Sequence, residues 1–131
     1  MGRELLRSYY DRLDGRPLER AHEWVAELDE FFTEDATIRA GNAPPVPWRT
    51  MFTAGGRLPE IVASTTHELD NVVEGDDGRV ACELAVTYAL RRGGAVTLHG
   101  SVFAVIRDGR FAEQHLYVDF GPVFRAAAKG A

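Results

Sequence analysis

Apolar positions along this chain of 131 residues repeat with one period at the front and another behind. Leu5, Leu6, Tyr9 and Leu13 recur at helical spacing and predict a first helix. The breaker Asp14-Gly15-Arg16-Pro17 ends it, and Ala21, Trp24, Val25, Leu28, Phe31 and Phe32 predict a second helix with a charged back. Ala36 to Ala40 reads as a short strand, Gly41 to Pro47 with its three prolines as a loop, and Trp48 to Ala54 as a third short helix closed by Gly55-Gly56. From Ser64 onward the period becomes two. Runs at 64–74, 80–91, 95–107 and 110–120 are separated by the turn signals Asp76-Asp77-Gly78, Gly93-Gly94 and Asp108-Gly109, which predict an antiparallel meander. Helices first and strands afterwards describe an α+β domain with the helices packed on one face of a curved sheet.

Tight turns also fix which residues share a face. If Gly93-Gly94 is a two-residue turn, Tyr88 lies opposite His99, Val86 opposite Ser101 and Leu84 opposite Phe103. If Asp108-Gly109 is another, His99 faces Val118, Ser101 faces Leu116 and Phe103 faces Gln114. The first hairpin, read with the same parity, adds His67, Leu69, Asn71 and Val73. This mostly apolar face, which also holds Val105 and Phe120, is expected beneath the helices. The opposite face holds Glu68, Asp70, Glu83, Thr87, Glu113, His115, Tyr117 and Asp119 around small or apolar residues at Ala85, Ala89, Gly100, Val102 and Ala104. It is expected to meet water at its acidic edge and a second copy of the chain, as a homodimer, at its smooth centre.

Composition narrows the partners. A 45% hydrophobic, 27% charged chain of this length buries one core, so a single domain over 1–124 is expected, with 125–131 as a disordered tail. The net charge of −5 repels a phosphate backbone, and the fourteen Arg are dispersed, which excludes nucleic acid as an expected partner. Cys82 is alone and no Cys/His spacing fits zinc, so neither a disulfide nor a metal is expected and the default location is cytoplasmic. The longest uncharged run, Gly93 to Ile106, is shorter than the roughly 18 apolar residues of a membrane span, so no membrane partner is expected.

Chemistry then rests on polar residues inside an oily face, where a polar group without a partner costs about 1 to 3 kcal/mol. His67, Asn71, Tyr88, His99, Ser101 and Gln114 either satisfy one another or line a cavity for a small apolar organic molecule. His99 beside Tyr88 forms a proton-moving pair, imidazole with phenol, and His67 or Asp119 is a second acid/base group. Each has a plainer alternative. His67 can be a strand-end residue bonded to backbone or water, Tyr88 a core ring with its hydroxyl at the rim, and Ser101 and Gln114 wall or internal partners. Strict alternation turns Asp119 outward, although a bulge before Gly121-Pro122 would turn it in. Tyr9, Trp48 and Phe52 serve as pocket lid or as core packing, and Leu116 and Val118 as wall. No Gly-x-Ser-x-Gly nucleophile elbow is present.

The segments Tyr9-Tyr10-Asp11-Arg12-Leu13, Phe32-Thr33-Glu34-Asp35-Ala36-Thr37-Ile38, Thr66-His67-Glu68-Leu69-x-Asn71, Asp108-Gly109-Arg110-Phe111 and Tyr117-Val118-Asp119 resemble the SnoaL-like branch of the ketosteroid isomerase and nuclear-transport-factor superfamily. The resemblance covers about residues 3 to 124 and implies a cone of curved sheet wrapped by helices, often a homodimer, with an apolar pocket and no cofactor. Matched onto steroid isomerases, Tyr9 falls at the oxyanion-holding tyrosine, but Ala40 stands for the general-base aspartate and Ser101 for the protonated acid. The Arg and paired Asp of limonene-type epoxide hydrolases also have no match, since Thr87, Tyr88 and Ala89 stand there. Asp119 matches the acid/base aspartate of SnoaL-type cyclases in position. The expectation is a cofactor-independent enzyme that cyclises, isomerises or dehydrates an apolar oxygenated metabolite of polyketide or terpenoid type. The alternative is a binding or interaction module of the same fold, or a purely structural domain.

Overall fold

The structure is a computed structural model and describes residues 1–129. Helix α1 (Gly2–Leu13) buries Leu6, Tyr9, Tyr10 and Leu13, a stripe at steps of three, one and three residues. It stops at extended Asp14, and the amide of Gly15, at φ +77°, donates to the carbonyl of Thr65. The stretch expected as one second helix is instead a short 3-10 turn (Leu18–Arg20), a single α turn α2 (Ala21–Trp24) and a 3-10 stretch (Val25–Phe31). Val25, Leu28 and Phe31 repeat every third residue, so three residues per turn stacks them on one buried line, which an α-helix would splay.

Phe32 then begins strand β1 (Phe32–Ala40), longer than the expected strand, which pairs with the two-residue β2 (Val46–Pro47) on one side. Short helices α3 (Trp48–Thr53) and α4 (Leu58–Ile61) lead into β3 (Val62–Glu74), β4 (Arg79–Leu90), β5 (Ala95–Arg107) and β6 (Arg110–Tyr117). Helix α5 (Gly121–Lys129) follows, so Arg125 to Lys129 are helical where a disordered tail was expected, and 130–131 lie outside the described residues. The meander β3 to β6 is as expected, and β1 extends it by pairing parallel with β6, giving one open six-stranded mixed sheet in the order β2-β1-β6-β5-β4-β3. The core lies between this sheet and the N-terminal helices, with Leu6, Leu28, Ile38, Val62, Val102, Phe111 and Val123 fully buried.

The register departs from the two-residue-turn reading at three places, and each departure turns side chains over. Between β4 and β5, Leu90 pairs around Arg91-Arg92-Gly93: the amide of Gly93 donates to the carbonyl of Leu90, and the amide of Leu90 to that of Gly94. A three-residue loop carries one more residue than a two-residue turn, so Tyr88 faces Val96 and His99 faces Ala85. His99, Ser101, Phe103 and Val105 therefore point outward, while Leu98, Val102 and Ala104 are buried. In β3 a bulge follows Asp70, where Asn71 takes φ +49°, a left-handed conformation that asparagine tolerates. Asn71 and Val73 leave the core face as a result. The Asp108-Gly109 turn has two residues at positive φ as expected, but a bulge in β6 one step later pairs Ser101 with Tyr117 and Ala104 with Gln114.

Candidate functional site

Among the polar residues expected in the interior, the structure brings His67, Tyr88 and Gln114 to the helix-covered face and removes His99, Ser101 and Asn71 from it. His67 sits on β3 opposite Val86, two ladder steps from the pair Thr65 and Tyr88, so its ring and the Tyr88 ring occupy one face of adjacent strands. Its side chain is 10% exposed. The carboxylate of Asp14, at the end of α1, accepts the His67 backbone N–H at 2.9 Å with one oxygen and contacts Nδ1 at 2.6 Å with the other. A carboxylate only accepts, so Nδ1 carries a proton, and in the neutral ring Nε2 is then the acceptor nitrogen. The ring of Tyr10 stacks on the imidazole at a centroid distance of 4.2 Å and fixes its plane.

Three phenols surround this pair. Tyr10 is buried, its hydroxyl makes no hydrogen bond, and burial together with the neighbouring Tyr9, Cys82, Asp14 and Tyr88 drives its ionisation far above that of a free phenol. Burial pushes Tyr88 up to about 12, and its ring meets Phe120 edge-on at 5.9 Å. Tyr9 is also raised by burial, against the opposing influence of the Gln114 amide beside it. All three stay protonated near neutrality and are donors, not bases. Gln114 is 2% exposed, and neither of its amide atoms has a well-formed hydrogen bond.

From Tyr10, aromatic packing continues through Tyr9 into the core. Tyr9 meets Phe31, Phe32 and Phe111 edge-on or tilted between 5.4 and 5.8 Å, and Trp48 stacks on Phe32 at 4.5 Å. Phe52, half-buried, completes the wall against Trp24 and Trp48. Leu116 and Val118 are half-buried and pack against the same core. His67, Tyr88 and His99 do not share a cavity: His67 and His99 reach one surface depression that Tyr88 does not line. A surface depression of about 630 Å³ along β3 is reached by both histidines and by Arg7, Asp11 and Glu83.

The remaining candidates have local partners. Asp119 is exposed and accepts the Gly121 amide at 2.9 Å, capping the start of α5. Asn71 donates its side-chain N–H to Glu83 at 2.6 Å. On the outer face His115 contacts the Gly41 carbonyl at 2.8 Å through Nε2 and the Tyr117 hydroxyl at 2.9 Å through Nδ1. Two residues of the site were not legible as such: Asp14, read as a helix breaker, and Tyr10, left out of the α1 stripe. The spacing Leu6, Tyr10, Leu13 marks Tyr10 as inward, whereas no sequence spacing links Asp14 to His67, 53 residues on. Among the described residues no group of three or more His, Cys, Asp or Glu is placed to hold a metal ion, and no helix is long and apolar enough to cross a membrane.

No family model matches the chain, and no curated protein matches it in sequence. Solved structures match it closely in shape at low identity. TerC, co-crystallised with polyporic acid, superposes with a TM-score of 0.70 at 16% identity over 95% of this chain and 96% of its own. An LEH-like epoxide hydrolase of M. tuberculosis gives 0.68 at 14% identity over 97% and 89% of the two chains. A protein described as a SnoaL-like polyketide cyclase from Jannaschia sp. CCS1 gives 0.67 at 16% identity over 95% and 92%. The helices packed on an open, six-stranded mixed sheet thus give this chain the α+β fold that these solved structures share.

Proposed function

We propose that this protein is a cofactor-independent enzyme that moves a proton on an apolar, oxygenated small molecule, the step shared by cyclisation, isomerisation and dehydration of polyketide- or terpenoid-like compounds. The observation that carries the reading is the half-buried His67–Asp14 pair at 2.6 Å, stacked on Tyr10 and two strand pairs along from Tyr88. Asp14 holds the imidazole in the tautomer that leaves Nε2 basic and stabilises the imidazolium formed when it takes a proton. A phenol of Tyr88 or Tyr10, kept protonated by burial, donates to the oxyanion that develops as a carbon beside a carbonyl is deprotonated. The proton returns from His67 to the rearranged carbon or to the leaving oxygen, so no external acid is consumed. Proteins of this shape include ones described as a polyketide cyclase and as an epoxide hydrolase, which supports small-molecule chemistry for the fold.

The test uses 2-tetralone, an apolar enolisable ketone, in D2O with proton NMR reading loss of the α-hydrogens. Wild-type protein accelerates the exchange, and His67→Gln lowers the rate by about a hundredfold or more, whereas His99→Ala leaves it unchanged. Equal rates for His67→Gln and wild type overturn the assignment.

The outer sheet face supports a second element of the proposal, a homodimer. Phe103 is 53% exposed and Tyr117 45% exposed, and their rings meet edge-on at 5.8 Å. Large apolar rings left together in water on a flat sheet are the usual mark of a covered surface.

A further inference from the structure

At the hairpin end of the sheet, α4, the β4–β5 loop and α5 enclose a cleft of about 380 Å³ that the acid/base reading does not use. Its lining places three guanidiniums, Arg57, Arg91 and Arg92, against a single carboxylate, Glu60, in a chain whose net charge is −5. Three of the fourteen Arg thus converge on one depression, the reverse of the chain's overall balance. They differ in how far their charge is committed. Arg91 donates to the carbonyls of Pro59 and Glu60, both at 3.3 Å, and to the Glu19 carboxylate at 2.5 Å, so it is a strut between α4 and the segment before α2. Arg57 makes no ion pair among the described residues and lies over the Phe124 ring at 5.2 Å, a position that holds the guanidinium plane without neutralising it. Arg92, exposed at the loop, likewise has no ion pair among the described residues.

Below these cations the cleft is apolar. Ile61 and Leu90 form one wall and Phe124 the other, with the short side chains of Ala126 and Ala127 leaving the space between them open. A cationic rim over an apolar floor matches one ligand chemistry: an apolar chain or ring that carries a single anionic head. Water alone would solvate the guanidiniums but leave the floor wet, and a compact inorganic anion would leave the floor unused. We propose that this cleft binds an amphipathic carboxylate, its apolar part laid on Ile61, Leu90 and Phe124 and its head group between Arg57 and Arg92. Two guanidiniums on one carboxylate give charge-assisted, geometrically selective hydrogen bonds. The wall and the anchors lie on three separate segments, so binding also ties α5 to the sheet.

Octanoate, octan-1-ol and octyl phosphate serve as probes in calorimetric titrations of the full chain, with amide chemical-shift mapping to place them. Octanoate is expected to bind at least about tenfold more tightly than octan-1-ol, with shifts confined to residues 57–61, 90–93 and 123–128. In Arg57→Gln/Arg92→Gln, two exposed positions whose change leaves the core intact, that advantage disappears while octan-1-ol binds as before. Added salt weakens octanoate alone. Octyl phosphate binding more tightly than octanoate would replace the carboxylate with a phosphate head and overturn the proposal as stated. So would equal affinities for acid and alcohol, an advantage retained in the double variant, shifts mapping elsewhere, or the absence of saturable binding. Octanoate binding to His67→Gln at wild-type affinity separates this site from the acid/base reading, since the failure of one leaves the other standing.

Discussion

At the scale of single residues, the interior departs from a minimal core in one place that stability alone does not explain. Gln114 is 2% exposed and both of its amide atoms lack a well-formed hydrogen bond, and elsewhere in the interior the Tyr10 hydroxyl has no partner either. Each buried polar group left in this condition costs about 1 to 3 kcal/mol, so a sequence selected for stability would place an apolar side chain there. The replacement Gln114→Met keeps nearly the same length and volume and removes the two orphaned atoms. Urea denaturation of Gln114→Met is expected to show stability equal to wild type or higher by about 1 kcal/mol, alongside slower 2-tetralone exchange. A loss of more than about 2 kcal/mol would mean that the amide holds the fold together and is not reserved for a ligand. Gln114 is legible at a core position by pairing it with Phe103; the structure pairs it with Ala104, and the reversal of β5 and the bulge in β6 cancel to leave it inward. Its isolation is not legible, because the absence of a partner depends on how Tyr9 of α1 packs against it across the core.

At the scale of elements, turn length decided what the sequence could and could not reveal. The Asp108-Gly109 turn supplies the two positive φ values of a two-residue hairpin, and its chemistry is written in the residue types. Gly93-Gly94 looks equally decisive, yet the chain turns one residue earlier, through Arg91, Arg92 and Gly93, and reverses every side chain of β5 relative to the expectation. Two adjacent glycines fit either loop, and only the packing of Leu98, Val102 and Ala104 against the helices selects one. The bulges beside Asn71 and in β6 are lost from sequence for the same reason, since each adds one residue to a strand without interrupting its composition. With β5 turned this way, Gly100 faces inward beneath the end of β6. A Cβ at Gly100 would lie 2.3 Å from the Tyr117 carbonyl oxygen and 2.6 Å from a Val118 methyl, so the backbone crossing requires a hydrogen there. Gly100→Ala is expected to lower stability by about 2 kcal/mol or more in urea melts, because β6 must move away from β5. Had the two-residue turn been correct, Gly100 would face solvent and the same substitution would be nearly neutral, so this one measurement also checks the register.

At the scale of the whole molecule, the two faces of the sheet carry different obligations. One is covered by helices and holds the His67–Asp14 pair, and the other leaves Phe103 and Tyr117 in water beside Val105, Ala81 and Ala85. The resulting proposal of a homodimer gains a direction from charge. Glu68, Asp70 and Glu83 lie on β3 and β4 at one side of the outer face, whereas Arg39 lies on β1 at the other. A two-fold axis running along the strands through β5 lays β3 of one copy over β1 of its partner and brings Glu68 and Asp70 toward Arg39. An axis across the strands would lay acid on acid. The first arrangement also centres β5, with Phe103, on the axis, where each ring packs against the other copy's sheet. Sedimentation or light scattering is expected to give twice the 14.5 kDa chain mass for wild type and the single-chain mass for Phe103→Glu, with unchanged far-ultraviolet circular dichroism. A wild-type chain that stays single at micromolar concentration ends the proposal. Dimerisation that survives Phe103→Glu moves the interface away from the centre of β5, and with it the argument that the exposed rings exist to be covered.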